Sequence, residues 1–493
     1  MKPNGRREFL KKAAAAGMMA PAGAMLPGVA AAASAEAKEN KPRRAKKPNI
    51  VLYLADEVRA DFIAAAGSNP MVRTPNLDKL AKRGTMFTHA VTNQPLCSPS
   101  RACMLTGRYA TETGVWKLEV DMRRDLPTLA TVLRANGYTA NLIGKWHLAK
   151  ADLKTETGYG WVPPELRGGF LDVWEGANVY ERVTHPYNGT IWDSAGKEIH
   201  YNDEYRVDFL TDRVVRFLEM KQEKPFLLFV SQLEPHFQND LNTVIGPKGE
   251  AAKYQNPYVP ADLTPFPGVW QQELPDYYAA IESIDKSVGR IMETLEKQGM
   301  LDDTIFIFTS DHGCHFKTRE NNYKRTPHDS SIRIPLIFAG PSVSANRRVD
   351  KIAGNINMTP TMLELCGVPV PKEMKGRSMV AMMHGLDGEN AWENRELIQF
   401  SQTGGTGMGR AVRTADWTYG VARPDGGSTM PHSDWYMDYV LFNNANDPAQ
   451  VINLASRTGY HEKTSALRKQ LLELIAYSGD PAPKIVASPF LYP

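Results

Sequence analysis

The chain has 493 residues, of which 42% are hydrophobic and 23% charged, with four cysteines and a formal charge of +3. That length suits one large domain plus a smaller one, while so few cysteines, without paired spacing, exclude a disulfide scaffold and a zinc-finger site. The excess charge sits in the first 33 residues, where Lys2, Arg6, Arg7, Lys11 and Lys12 outnumber Glu8; the remainder is near neutral and offers no basic face for a nucleic acid.

The N-terminus reads as an address. Arg6-Arg7-Glu8-Phe9-Leu10-Lys11 resembles a twin-arginine export signal. The following stretch from Ala13 to Ala33 is Ala- and Gly-rich and broken by Pro21 and Pro27, too weakly apolar for a stable membrane span in the mature form. Residues 1–33 are therefore expected to be a removable signal. The resemblance implies the twin-arginine translocase as a partner and a periplasmic or otherwise exported location. Residues 34–48, with the basic cluster Lys41 to Lys47, read as a solvated tether.

Beyond the tether, Asn49 to Leu54 is an uninterrupted apolar run of strand length, followed at once by Asp56 and Glu57. Similar runs recur at Phe226 to Val230, Thr304 to Phe308 and Pro335 to Ala339, as in central strands buried on both faces. Thr74-Pro75 and Leu126-Pro127-Thr128 mark helix openings. From Pro275 to Gly299, apolar residues recur every three or four positions, which predicts an amphipathic helix stopped by Gly299. The alternation predicts an α/β fold: a mostly parallel central sheet sandwiched by helices over 49–380. Ligands bind beyond the carboxyl ends of such strands, so Asp56-Glu57 and Asp311-His312 are placed to meet. After a Gly- and charge-rich stretch, short strand-like runs and a helix near His461 to Ile475 predict a smaller C-terminal α+β domain over 390–493.

The most informative stretch is Cys97-Ser98-Pro99-Ser100-Arg101, continuing to Leu105-Thr106-Gly107-Arg108. Ser98-Pro99 reads as a helix opening with a capping hydroxyl, which sets position 97 at a positive helix end that attracts anions. Arg101, four residues on, can approach the same side. Cys103, Cys314 and Cys366 read as buried small hydrophobes. Cys-x-Pro-Ser-Arg followed by Thr-Gly-Arg is similar to the signature of type I (formylglycine-dependent) sulfatases, members of the alkaline phosphatase-like superfamily.

That resemblance implies a sulfatase that hydrolyses a sulfate ester through a formylglycine made from Cys97 by a formylglycine-generating maturation enzyme. It implies one Ca²⁺ held by Asp56, Glu57, Cys97, Asp311 and His312, with Glu57 standing where the family usually has Asp. Gly144-Lys145-Trp146-His147 resembles the segment that supplies a sulfate-binding lysine and a histidine facing the formylglycine. Pro235-His236 resembles the one that supplies a leaving-group histidine, with Glu234 ahead of the proline where a further histidine is common. Lys324, followed by Asp329, Ser331, Arg333 and Pro335, matches the spacing of a second sulfate-binding lysine. Arg101, Lys145, His147, His236 and Lys324 thus join Cys97 as expected catalytic residues. The expected substrate is a sulfated small molecule or, better, a sulfated carbohydrate. Aromatics between 158 and 205 could stack on sugars or pack a core. Two alternatives remain: a phosphonate monoester or phosphodiester hydrolase of the same superfamily, and a non-catalytic sulfated-glycan binding protein.

Overall fold

The computed structural model describes residues 47–152, 154, 158–388, 392–401, 408–423 and 430–489. The expected export signal and nearly all of the tether lie outside the described residues. The chain from Lys46 onward forms one compact unit. Its strands are β1 (Asn49–Asp56), β2 (Gly84–Val91), β3 (Thr139–Lys145), β4 (Trp174–Ala177), β5 (Thr184–His185), β6 (Asn188–Trp192), β7 (Glu198–Asn202), β8 (Phe226–Pro235), β9 (Thr304–Ser310), β10 (Leu336–Ala339) and β11 (Arg347–Gly354) in a large sheet, followed by β12 (Arg395–Ser401), β13 (Met408–Thr414), β14 (Trp417–Ala422), β15 (Trp435–Asn443) and β16 (Lys484–Val486) in a smaller one.

The large sheet runs β11-β2-β10-β9-β1-β8-β3-β4-β6-β5, with β7 beside β6. The central strands β9, β1, β8, β3 and β4 are parallel neighbours. β10, whose apolar run marks a buried central strand, lies antiparallel to both β9 and β2 in this mostly parallel sheet. An uninterrupted apolar run reports burial on both faces and carries no information on direction.

The two faces of β1 show why these runs are central. Val51 and Tyr53 pack with Val288 and Ile291 of the helix Trp270–Lys297 on one side. Ile50, Leu52 and Leu54 pack with Ala102, Met104 and Leu105 of the helix Cys97–Thr106 on the other. Truncating any of these buried leucines or isoleucines to alanine costs about 2–5 kcal/mol. The helix Trp270–Lys297 starts earlier than its periodicity suggested and places Pro275 inside. It ends as expected, with Gly299 at φ 66° and the Met300 N–H closing onto Leu295 O at 2.8 Å, the glycine-dependent C-terminal lock. The smaller sheet is antiparallel from β12 to β15, with β16 parallel at its edge. Leu467, Leu471 and Leu474 of the helix His461–Tyr477 cover Leu397, Val412 and Tyr419 of that sheet.

Candidate active site

Four adjacent parallel strands, β9, β1, β8 and β3, end on the same edge of the sheet, and the residues at those ends converge. β1 delivers Asp56 and, just beyond it, Glu57; β9 leads into Asp311 and His312; β8 ends at Pro235 ahead of His236; β3 ends at Lys145 ahead of His147. The turn after β1 is fixed by the helix behind it: Tyr277 donates its hydroxyl to Glu57 O at 2.6 Å and accepts from the Arg59 N–H at 3.0 Å. Before Lys145, Gly144 takes φ 117°, and a Cβ there would stand 2.0 Å from Ser231 O on the neighbouring strand. Only glycine fits that approach. Trp146 is the fully buried anchor of the same segment, edge-on to Phe170 and Trp174 at 5.7 Å.

Cys97 opens the helix Cys97–Thr106, with Leu96 at the cap. Ser98 is thus inside the first turn and not the cap, and its buried hydroxyl has no hydrogen-bond partner. Pro99 is tolerated there because the N–H groups of a first turn have no partner within the helix. The thiol is 3.2 Å from Lys324 Nζ, 3.3 Å from His312 Nε2 and 3.7 Å from Asp56 Oδ1. Burial opposes its ionisation, but Lys145, Lys324 and His312 outweigh burial and hold it well below the usual thiol range. The other cysteines are also buried; burial pushes the Cys103 and Cys314 thiols up, and Cys366 up to about 11. They are inert by comparison.

Arg101 approaches Cys97 through the carboxylates beside it. Its fully buried guanidinium bonds Asp311 Oδ2 at 3.2 Å, Asp56 Oδ2 at 3.1 Å and Ser231 Oγ at 2.7 Å. It clamps the two carboxylates from behind. Lys145 Nζ lies 2.8 Å from Asp56 Oδ2 and 3.0 Å from Glu181 Oε2. His236 stacks on Phe237 at 4.5 Å, and Phe237 stacks in turn on Tyr323 at 4.2 Å. Burial and Lys324 disfavour the His236 imidazolium, but Glu57 and Asp56 prevail and raise its pKa. Glu234 takes no part at the thiol, because Arg206 holds its carboxylate at 2.8–2.9 Å.

Asp56, Cys97, Asp311 and His312 each bring one ligand atom within 4.8 Å of the others, all buried. Glu57, expected as a fifth ligand, stands outside this group: its carboxylate faces Lys324 Nζ at 3.1 Å and the Phe237 N–H at 3.4 Å. Its longer side chain and its left-handed backbone, φ 71°, turn the oxygens away. The group fits a divalent cation on its own chemistry. His312 Nδ1 is bonded to Gly313 O at 2.9 Å, so Nε2 is the ring nitrogen that faces inward, toward the other three groups. Burial and the Asp56 charge push Asp311 up, whereas Asp56, although burial opposes it, is held down by Lys145, His236 and Lys324. Two carboxylates that converge in this way are relieved by a cation between them.

Glu181, on the short helix Tyr180–Val183, is the member that sequence reasoning missed. It lies in a stretch with no motif, and no spacing signal marks it. Of the aromatics in that stretch, Trp174, Tyr180, Trp192 and Tyr201 are core residues.

Comparison with known proteins gives a consistent picture. The model of the sulfatase family matches residues 48–368, and that of the N-sulphoglucosamine sulphohydrolase C-terminal region matches residues 320–477. The chain is 30% identical over 454 residues to an ulvan-active sulfatase of Formosa agariphila, covering 88% of this chain and 82% of that one. It is 24% identical over 533 residues to an N-acetylglucosamine-6-O-sulfatase of Bacteroides thetaiotaomicron, covering 92% and 90%. Among solved structures, a putative sulfatase of Bacteroides fragilis superposes with a TM-score of 0.75 at 26% identity, over 88% of this chain and 97% of that one.

Proposed function

This chain belongs to the sulfatase family and is a sulfuric ester hydrolase; we propose that its substrate is a sulfated carbohydrate and that it acts through a formylglycine made from Cys97 beside one bound Ca²⁺. The observation that carries this reading is the convergence of Lys324, His312 and Asp56 on the Cys97 side chain within 3.7 Å, at a helix N-terminus. The relatives named for ulvan and for N-acetylglucosamine 6-sulfate support the carbohydrate.

A sulfate monoester resists hydrolysis because its oxygens repel nucleophiles and an alkoxide leaves poorly. Lys145, Lys324 and the first-turn N–H groups of the helix at Cys97 answer the first difficulty by meeting the sulfate oxygens with positive charge. His236, whose proton Glu57 and Asp56 help to retain, answers the second by protonating the departing alcohol oxygen. His147 accepts a proton from the side chain at 97 when sulfate is released. Asp56, Asp311, His312 and residue 97 would hold the Ca²⁺, which supplies Lewis-acid stabilisation of the sulfate and of the nucleophile. Hydrated formylglycine supplies two hydroxyls on one carbon, one to attack and one to expel sulfate, which a serine cannot do. Arg101 keeps the two carboxylates in place.

We read residues 1–33 as a twin-arginine signal, 49–380 as the catalytic domain and 390–493 as the smaller domain. Cys97 is 2% exposed in the folded chain, so the maturation enzyme must reach it before folding. The twin-arginine route carries folded proteins, which supports conversion in the cytoplasm before the finished enzyme is exported, to the periplasm or otherwise.

A substrate panel on protein with verified Cys97 conversion tests the reading. Sulfate release from a sulfated glycan, faster than turnover of any phosphonate monoester or phosphodiester, is expected. Preferred turnover of aryl or alkyl sulfates alone would remove the carbohydrate assignment.

A further inference from the structure

Glu181 is buried, 5% exposed, and its two carboxylate oxygens face two different residues of the site. Oε2 lies 3.0 Å from Lys145 Nζ, and Oε1 lies 3.9 Å from His147 Nδ1. His147 has a left-handed backbone, φ 60°, held by its N–H bond to Asn178 O at 2.8 Å. Its side chain is buried, and neither ring nitrogen has a hydrogen-bond partner. Such an imidazole needs something to choose its orientation and its tautomer. Glu181 is the carboxylate set to do so. Its short helix is anchored by Gln238 Nε2 donating to Glu181 O at 3.4 Å. Burial would favour a neutral acid, but Lys145, His147 and His236 outweigh it and hold Glu181 down to about 2, so the carboxylate is charged.

We propose that Glu181 is a positioning residue for this reaction: it shares the Lys145 ammonium with Asp56 and orients His147 so that the ring nitrogen remote from Glu181 accepts the proton leaving residue 97. The inference rests on the reading of residue 97 as the reacting centre. The logic is that of an orienting carboxylate behind a catalytic histidine. A second consequence distinguishes it from simple packing. A negative charge beside Lys145 weakens the hold of that lysine on an anion, so the residue that speeds turnover also loosens sulfate.

The test compares wild type, Glu181→Gln and Glu181→Asp, each with aldehyde content at residue 97 and thermal midpoint measured. The Gln variant keeps shape and loses charge. Its kcat is expected to fall by roughly 10- to 100-fold, the scale on which losing a carboxylate that orients a histidine acts. Its affinity for inorganic sulfate, measured by titration calorimetry, is expected to rise. The Asp variant, which keeps the charge, is expected to recover part of kcat. A Gln variant with kcat within about threefold of wild type would overturn the proposal, as would kcat and sulfate affinity falling together with the thermal midpoint. A wild-type protein that carries the aldehyde and releases no sulfate from any ester would overturn the broader reading and this proposal with it.

Discussion

Lys324 and Glu57 form a buried ion pair, Nζ to Oε1 3.1 Å, directly beside the Cys97 sulfur, which is 3.2 Å from the same ammonium. Glu57 therefore serves Lys324 and the Phe237 N–H, while Asp56, Asp311 and His312 face one another across the candidate metal position.

Metal stoichiometry follows from that division. Glu57→Ala is expected to retain about one Ca²⁺ per chain after gel filtration, while Asp311→Ala loses it, because removing one carboxylate of a buried oxygen set removes the charge that the hard cation requires. Elemental analysis of the purified variants reads this directly. Loss of calcium in both variants would place Glu57 among the ligands.

Arg101 makes a stability prediction. Its guanidinium bridges Asp56 and Asp311 with no exposure to solvent, so Arg101→Met leaves two buried carboxylates without their clamp. Removing one partner of such a network costs about 3–5 kcal/mol. Thermal unfolding in the presence of a chelator should show the loss in full, and added Ca²⁺ should restore part of it. A variant as stable as wild type in chelator would mean that Arg101 is not the clamp.

Much of this site was legible from residues alone, for identifiable reasons. Apolar runs ending in acidic residues mark buried strands that deliver ligands to one edge, and β1 and β9 do this side by side. The Cys97 and Lys145 segments each pair a reactive residue with one of fixed structural need, Pro99 in a first turn and Gly144 against Ser231. Three features were not legible. The direction of β10 depends on its partners. The cap at Leu96 depends on the path of the preceding loop. Glu181 reaches Lys145 and His147 only because the chain returns through a short helix after β4, and no spacing in the sequence announces that return.

Glu273 predicts a pH dependence of stability. Burial pushes its carboxyl up to about 7, against hydrogen bonds from Tyr323 and Thr243 and the charge of Lys317, and Tyr323 Oη donates to Oε1 at 2.8 Å. Between about 4.5 and about 7 the folded chain keeps a proton that the unfolded chain has released, so this contribution is full at low pH and is lost as pH rises through that window. Glu273→Gln removes the dependence. The thermal midpoint of the variant relative to wild type is therefore expected to move upward from pH 5 to pH 8. Parallel curves across that range would contradict the assignment.

The decisive measurement concerns residue 97 itself. Preparations with graded conversion, made by coexpression with varying amounts of maturation enzyme, are assayed for sulfate release, and the aldehyde fraction of the Cys97 peptide is read by mass spectrometry. Activity is expected to rise in proportion to aldehyde content and to vanish at zero conversion. Full sulfate-ester hydrolysis by protein whose Cys97 remains an unmodified thiol would contradict it.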